Sequence, residues 1–313
     1  MSAPPKASRR SCHNLKDVMA RLFTSVSDDR LARVVAPLLI VVTCFSTQAS
    51  AGFAHRAFSS LGAFQVTSVR FGIAAVGLVV IARPKLTGRS GREWRAIVIF
   101  GLCCVVMNAA FYQAVARMPL GNVTSIEFCG PFAIAVVSSK SWREARWVLL
   151  AAIGVVIVAH PSANATASGI GFAVVAAVGW ALYTLMSKHV GSLGSGLDGL
   201  ALSVSVAAIV LLPFSATTAP AMTSGEWANV SLSAVSGVMF AFSLEYIALR
   251  LVAAKKVSVF FSVDPVAAFV IGLVMLNQPL SLLSLAGCAC IVVASVAVAR
   301  HEDEANVVPV QLN

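Results

Sequence analysis

Four ionisable side chains stand inside long apolar stretches of the sequence. Glu127, Glu245 and Asp264 are the carboxylates in these stretches, and Arg70 is their deeply placed basic counterpart. A charge at the centre of a bilayer costs at least ~2.5–3.5 kcal/mol, so such residues usually face a cavity or a partner. Fully ionised, the four would carry two net negative charges. We therefore expect one or two carboxyls to be protonated or to be neutralised by a cationic ligand.

This set of groups predicts a site at which a proton and an ammonium compete, and whose opposite charges suit a zwitterion. The simpler alternative is structural, because Arg70 could pair with Glu127 or Glu245 and only hold two helices together. That pair would still leave two of the three carboxyls without a cation.

Two prolines mark the places where the backbone should become irregular. Glu127 lies one helical turn before Pro131, and Asp264 immediately precedes Pro265. Proline removes a backbone hydrogen bond and loosens a membrane helix locally. We therefore expect both carboxylates to lie at helix interruptions near the membrane midplane.

Other polar and aromatic side chains of the apolar stretches could complete a cavity. Asn108 and Tyr112 share one helix face, since they are four residues apart. The candidate pocket-lining residues are Gln48, Phe111, Trp180, Tyr183 and Thr184. The alternative for the aromatic residues is packing or contact with lipid.

The elements that must position these groups are transmembrane helices. Of the 313 residues, 58% are hydrophobic and 12% are charged, whereas soluble domains carry roughly 25% charged residues. Apolar blocks of about 20 residues match the thickness of the hydrocarbon core. Ten spans are predicted near 34–54, 61–82, 95–116, 121–139, 147–160, 169–187, 197–213, 229–249, 257–276 and 281–299. The predicted fold class is an all-α polytopic membrane protein.

The distribution of basic residues predicts the orientation. With ten spans and a cytoplasmic N-terminus, 20 of the 23 Lys and Arg residues fall on the cytoplasmic side. Arg56 and Arg117 fall on the outer side. This bias is typical of a bacterial inner-membrane protein with both termini in the cytoplasm. It also explains the net charge of +10 by the lipid bilayer rather than by nucleic acid.

The chain also shows a weak internal repeat. A shift of 134 residues places Pro131 on Pro265 and Tyr112 on Tyr246, and it overlays the first span on the sixth. Five spans per half is an odd number, so the halves must be inverted, as in many transporters. The predicted organisation is a cytoplasmic tail 1–33, partly disordered or an interfacial helix, repeats 34–160 and 169–299, and a cytoplasmic tail 300–313.

The sequence lacks the features that several other classes of function would require. Six of the seven cysteines lie in apolar blocks without metal-ligand spacing, so we expect small buried side chains rather than a metal site. The histidines lie near span ends or beyond, and no phosphate-binding P-loop occurs. The sequence therefore predicts no cofactor and no enzyme activity. An intramembrane lipid-modifying enzyme and a non-transporting receptor remain the rival classes, and monomer and homodimer are both compatible with the sequence.

Several segments resemble the EamA family of the drug/metabolite transporter superfamily. They are Met107 to Tyr112, Pro119-Leu120-Gly121, Ile126 to Pro131, Phe242 to Leu249, and Arg70 within Thr67-Ser-Val-Arg70-Phe. The resemblance spans roughly residues 34–300. It implies ten helices in two EamA repeats and proton-driven export of small amino acids or related metabolites. Within transporters, the alternative is an exporter of drugs, purines or aromatic amino acids.

The resemblance also implies roles for individual residues. Those carried over to substrate or proton binding are Arg70, Asn108, Tyr112, Glu127 and Glu245. Asp264-Pro265 departs from the family pattern, which has Glu-Pro, and Asn277-Gln278-Pro279-Leu280 replaces the usual Gly-Glu-x-Leu. Both departures bear on which small molecule is the substrate and leave the predicted fold unchanged.

Overall fold

The computed structural model describes residues 29–58, 60–137, 145–160, 165–194, 197–216, 219–252 and 254–305. All regular secondary structure in these ranges is helical. The predicted disorder or interfacial helix of the N-terminal tail falls almost entirely on residues outside the described ranges.

Ten apolar helices are present in the described part of the chain, which confirms the predicted fold class. They are α1 Asp29–Arg56, α2 Ala63–Ala82, α3 Gly91–Val115, α4 Leu120–Val137, α5 Ala145–Val158, α6 Ala167–Leu193, α7 Asp198–Leu211, α8 Ser224–Leu251, α9 254–276 and α10 Leu282–Ala305. Six are long and apolar enough to cross a membrane, and four shorter apolar helices complete the set. α1 begins before its predicted span, and α10 continues into the predicted C-terminal tail.

Three of these helices are interrupted. α4 consists of Leu120–Glu127 and Cys129–Val137, and α9 contains a 3₁₀ turn at Phe261–Val263. Both interruptions follow from proline, because Pro131 and Pro265 cannot donate to the carbonyls four residues earlier. α8 differs, since its middle is a π-helical segment, Ala234–Ala241, that contains no proline.

The packing of the helices has the symmetry expected of a duplication. α3 packs on α6 and α8 on α1, while α4 packs on α6 and α9 on α1. α2 contacts α7, and α5 contacts α10. Exchanging the first five helices with the second five interchanges α3–α6 with α8–α1 and α4–α6 with α9–α1, and leaves α2–α7 and α5–α10 unchanged. The packing therefore supports the inverted repeat, whose boundaries stay a prediction.

The outer surface of the bundle is apolar. Its exposed side chains include Leu38, Val76, Leu149, Ile209 and Val274. A soluble protein would not expose apolar residues on nearly every helix, whereas lipid requires it. Polar and charged side chains, Arg70 among them, are instead buried between the helices.

α5 and α10 approach each other closely at Gly154 and Gly287. A Cβ atom on Gly154 would lie 2.6 Å from the Gly287 carbonyl oxygen, and one on Gly287 would lie 2.7 Å from the Gly154 carbonyl oxygen. Glycine is needed on both sides, because a side chain at either position would push the backbones apart. Small residues at membrane helix contacts allow this close packing.

Candidate functional site: a buried cavity with four ionisable groups

A cavity lies between α1, α2, α3, α4, α6, α8 and α9. Its lining includes all six residues predicted for substrate and proton binding, namely Arg70, Asn108, Tyr112, Glu127, Glu245 and Asp264. Residues from both halves of the chain thus meet in one place.

The predicted pocket-lining residues divide into two groups. Gln48, Phe111 and Trp180 line the cavity. Tyr183 and Thr184 are fully buried but lie outside this lining. Tyr183 instead packs its ring against aromatic neighbours on α3 and α8, with ring centroids 5.2 Å apart in both cases.

Arg70 is a buried guanidinium that is only partly satisfied. It is 2% exposed, and its Nη2 donates a hydrogen bond of 2.9 Å to Ser50 Oγ. Its Cζ lies 4.4 Å from the centroid of the Tyr112 ring, which is a favourable cation–π distance. Nε and Nη1 are buried without a hydrogen-bond partner.

Among the described residues, Arg70 forms no ion pair with a carboxylate. The salt bridge found there joins Arg89 to Asp198, with 3.3 Å between Nη2 and Oδ2. The alternative in which Arg70 pairs with Glu127 or Glu245 to hold helices together is therefore wrong. A buried cation without a counter-ion is costly. Arg70 consequently has two donor nitrogens and a charge available for an anionic group that enters the cavity.

The π segment of α8 provides the space for this guanidinium. A Cβ atom on Gly237 would collide with Ser50 Oγ and would lie 2.8 Å from Arg70 Nη2. Glycine at this position therefore allows the backbone of α8 to approach the Arg70–Ser50 hydrogen bond directly. Sequence reasoning missed Gly237 and Ser50, although two serines precede the glycine at 233 and 236.

Asp264 is the carboxylate with a clear hydrogen-bond donor. Gln48 Nε2 donates to Asp264 Oδ2 at 2.8 Å, and Thr124 Oγ1 donates to Gln48 Oε1 at 3.5 Å. Asp264 is also the first residue of the last segment of α9, followed by Pro265. Asp264 is therefore the acid best supported in its ionised form.

Glu127 and Glu245 also lie at helix interruptions. Glu127 ends the first segment of α4, and Glu245 lies in the first turn after the π segment of α8. Glu245 Oε1 is buried without a hydrogen-bond partner, and Trp180 and Tyr183 lie beside this carboxyl. Every cavity carboxylate thus lies where a helix is irregular.

The three carboxyls of Glu127, Glu245 and Asp264 line the same cavity. Three carboxyls and one guanidinium in a shielded space favour the uptake of positive charge, either as protons or as an ammonium. Within the described residues no group of three or more His, Cys, Asp or Glu side chains is arranged to hold a metal ion. The arrangement suits reversible binding of a small polar ligand.

Ten apolar helices, seven of which surround a cavity whose carboxylates come from interrupted helices, are typical of a membrane transporter. Comparison with known proteins agrees with this class. Residues 167–300 match the EamA-like transporter family. The resemblance read from the sequence is confirmed, and the protein is a transporter rather than an enzyme.

The relatives found by sequence belong to the same class. The threonine/homoserine exporter RhtA of Salmonella typhimurium strain SL1344 is 27% identical over 264 residues, which covers 82% of this chain and 89% of the relative. RhtA of Escherichia coli K12 is 26% identical with the same coverage. An uncharacterized transporter of Clostridium kluyveri is 24% identical over 83% of this chain and 90% of its own length.

A solved crystal structure has a similar fold. It superposes with a TM-score of 0.59 at 17% identity and covers 86% of this chain and 98% of its own. This likeness concerns the fold alone.

Proposed function

We propose that this protein exports small amino acids of the threonine/homoserine type in exchange for protons. The observation that carries the proposal is the unpaired Arg70 guanidinium facing three carboxyls in one cavity. An α-amino acid carries one charge of each sign, so it complements both parts of this site. The similarity to proteins named threonine/homoserine exporter supports the same substrate class.

In this mechanism the substrate carboxylate binds to Arg70 Nε or Nη1, which have no partner inside the protein. The ammonium is received by Asp264, which Gln48 keeps in hydrogen-bonding contact, together with Glu127. A bound ammonium supplies the positive charge that the carboxyls otherwise take from protons.

Antiport follows from this competition. When the ammonium enters, the carboxyls release a proton, and when the substrate leaves they take one up. Glu127 and Glu245 are the candidates for the protonated group, because Gln48 donates its hydrogen bond to Asp264 and to neither of them. Movement of the helices around the cavity would then expose it alternately to the two sides of the membrane.

The proposed location is the bacterial inner membrane with both termini in the cytoplasm. An even number of helices places both ends on one side, and the excess of Lys and Arg marks that side as cytoplasmic. Protons then enter the cell as the amino acid leaves.

The proposal is tested in liposomes that contain the purified protein. A lumen more acidic than the medium should drive accumulation of labelled threonine or homoserine, because outward proton flow draws the substrate inward. Wild type should accumulate substrate, the double variant Glu127→Gln/Glu245→Gln should not, and Glu93→Gln should behave like wild type. Glu93 forms a capping box with Ser90 at the start of α3, which glutamine can also form.

Accumulation that ignores the pH gradient would remove the antiport part of the proposal. Failure of every amino acid to accumulate would remove the substrate class.

A second substrate class has an observation in its favour. Phe111, Tyr112, Trp180, Phe242 and Phe261 line the cavity, and such rings could receive an aromatic amino acid, a purine or an aromatic drug. The same liposomes offered labelled tryptophan, phenylalanine and adenine would separate this class from threonine and homoserine.

A further inference from the structure

Two serines of α1 contact the irregular part of α8. Ser46 and Ser50 are four residues apart, so both hydroxyls lie on the same face of α1. Ser46 Oγ donates to the Ser236 carbonyl oxygen at 2.8 Å, and Ser50 Oγ donates to the Ser233 carbonyl oxygen at 2.7 Å. In return, Ser233 Oγ donates to the Ser50 carbonyl oxygen at 2.7 Å.

These hydrogen bonds fall where α8 changes from α- to π-helical structure. The π segment begins at Ala234, directly after Ser233, and Ser236 lies within it. A π-helix bonds each carbonyl to the amide five residues on rather than four, so its geometry is strained and usually needs outside support. The two hydroxyls of α1 supply hydrogen bonds to backbone carbonyls at the start of the segment.

Ser50 has a second role that Ser46 lacks. Its hydroxyl proton is directed to the Ser233 carbonyl oxygen, which leaves its oxygen free to accept a hydrogen bond from Arg70 Nη2. Arg70, Ser50 and Ser233 thus form a continuous hydrogen-bonded chain. This chain runs from the proposed carboxylate-binding group to the π segment that precedes Glu245.

We propose that Ser50 is a positioning residue that couples substrate binding at Arg70 to the orientation of Glu245. The inference rests on the proposed function and adds to it a physical link between the two charges. A substrate carboxylate draws the guanidinium away from Ser50 and weakens the support of the π segment. Return of the segment to α-helical geometry then rotates the following turn, which carries Glu245.

The rotation is large enough to matter. A π segment accommodates an additional residue, and one residue of an α-helix corresponds to a rotation of about 100°. Glu245 lies four residues after the end of the segment at Ala241. A change of that size moves its carboxyl away from the cavity that it lines with Arg70 and Asp264.

The test compares two serine variants in the same liposomes. Ser50→Ala should keep threonine binding within about threefold of wild type and keep exchange of internal for external threonine, which needs no net proton movement. The accumulation driven by a pH gradient should fall by a factor of about ten or more. Ser46→Ala, the matched control that does not touch Arg70, should keep most of that accumulation, within about threefold.

Ser50→Thr, which keeps a hydroxyl, should restore gradient-driven accumulation. If Ser50→Ala does not fold, Ser50→Cys, of similar size and with only a weak donor, replaces it and should likewise lose gradient-driven accumulation while it keeps threonine exchange. Wild-type accumulation by Ser50→Ala, or equal loss of exchange and accumulation in both serine variants, would overturn the coupling role.

Failure of the proposed function itself looks different. In that case the wild-type protein would not accumulate threonine or homoserine in response to a pH gradient. The site itself is tested separately by Arg70→Gln and Glu245→Gln. If those variants fail to accumulate substrate and Ser50→Ala accumulates normally, only the coupling role is lost.

Discussion

The α5–α10 pair and the helices around the cavity solve the same problem of membrane burial in opposite ways. α5 and α10 are continuous within the bilayer, carry no Asp, Glu, Lys or Arg between residues 147 and 158 or 282 and 297, and touch through Gly154 and Gly287. α4, α8 and α9 are each interrupted, and each brings a carboxyl to the interruption. The α5–α10 pair favours close helix packing, whereas the helices around the cavity keep polar groups without a full set of hydrogen bonds.

The difference shows how this fold divides scaffold from site. In lipid a backbone group needs an internal partner, so irregular backbone is tolerated where it lines a cavity. Interrupted helices around the cavity make rearrangement there less costly, because fewer regular hydrogen bonds must break. Continuous helices that are joined by glycine contacts resist rearrangement. Changes to the two regions should therefore affect different measurements.

The largest effect is expected at Arg70. Arg70→Ala removes the cavity's cation, and gradient-driven accumulation of threonine should fall at least about 100-fold, as expected when a charged partner of the substrate is lost. Arg70→Lys should recover only part, since an ammonium cannot reproduce the guanidinium contacts. Arg117→Ala, just after the end of α3 and against the ring of Phe172, is the control and should stay within about threefold of wild type.

The converse effect is expected in the scaffold. Gly154→Leu must separate α5 from α10, and overpacking of this kind costs about 1–3 kcal/mol of folding free energy. Thermal unfolding in detergent should shift to lower temperature, while transport per folded molecule stays close to wild type. A loss of transport without a loss of stability would mean that α5 and α10 belong to the moving part.

A smaller effect separates Asp264 from the other carboxyls. Gln48→Leu removes the hydrogen bond to Asp264 Oδ2, and a bond to a charged group contributes about 1.5–3 kcal/mol. The threonine concentration for half-maximal transport should rise about tenfold or more, since each factor of ten corresponds to about 1.4 kcal/mol. Gln113→Leu, another buried glutamine but outside the cavity, should leave that concentration almost unchanged.

The smallest effect is expected at the prolines. Pro131→Ala and Pro265→Ala allow the missing backbone hydrogen bonds to form, so the helices become stiffer. The transport rate should fall about three- to fivefold with stability unchanged or higher, because opening and closing of the cavity often limits the rate of such proteins. Pro37→Ala, inside α1 and outside the cavity lining, should not slow transport. Equal slowing by all three variants would show that the lower transport rate does not depend on the interruptions beside the cavity.

Much of the fold was accessible from the sequence because its signals are local. Apolar blocks define the ten helices, and proline identifies the interruptions beside Glu127 and Asp264. The interruption before Glu245 has no comparable signal, because the π segment contains no proline and its hydrogen-bond partners Ser46 and Ser50 lie far earlier in the chain. Local sequence does not encode such a contact.

Helix rotation limited the prediction of the cavity lining in the same way. Trp180, Tyr183 and Thr184 share one face of α6 by spacing, yet only Trp180 lines the cavity. Tyr183 lies deeper, against Phe100 and Phe242. Periodicity gives the face of a helix, whereas its depth and exact rotation are set by tertiary packing.

Proton release on substrate binding tests the central idea most directly. When threonine is added to purified protein in weakly buffered detergent solution, the ammonium should displace a proton from the cavity carboxyls and acidify the medium. Glu245→Gln should release markedly fewer protons, and Glu93→Gln as many as wild type. Threonine binding without proton release, at every pH where it binds, would contradict competition between proton and ammonium in this cavity.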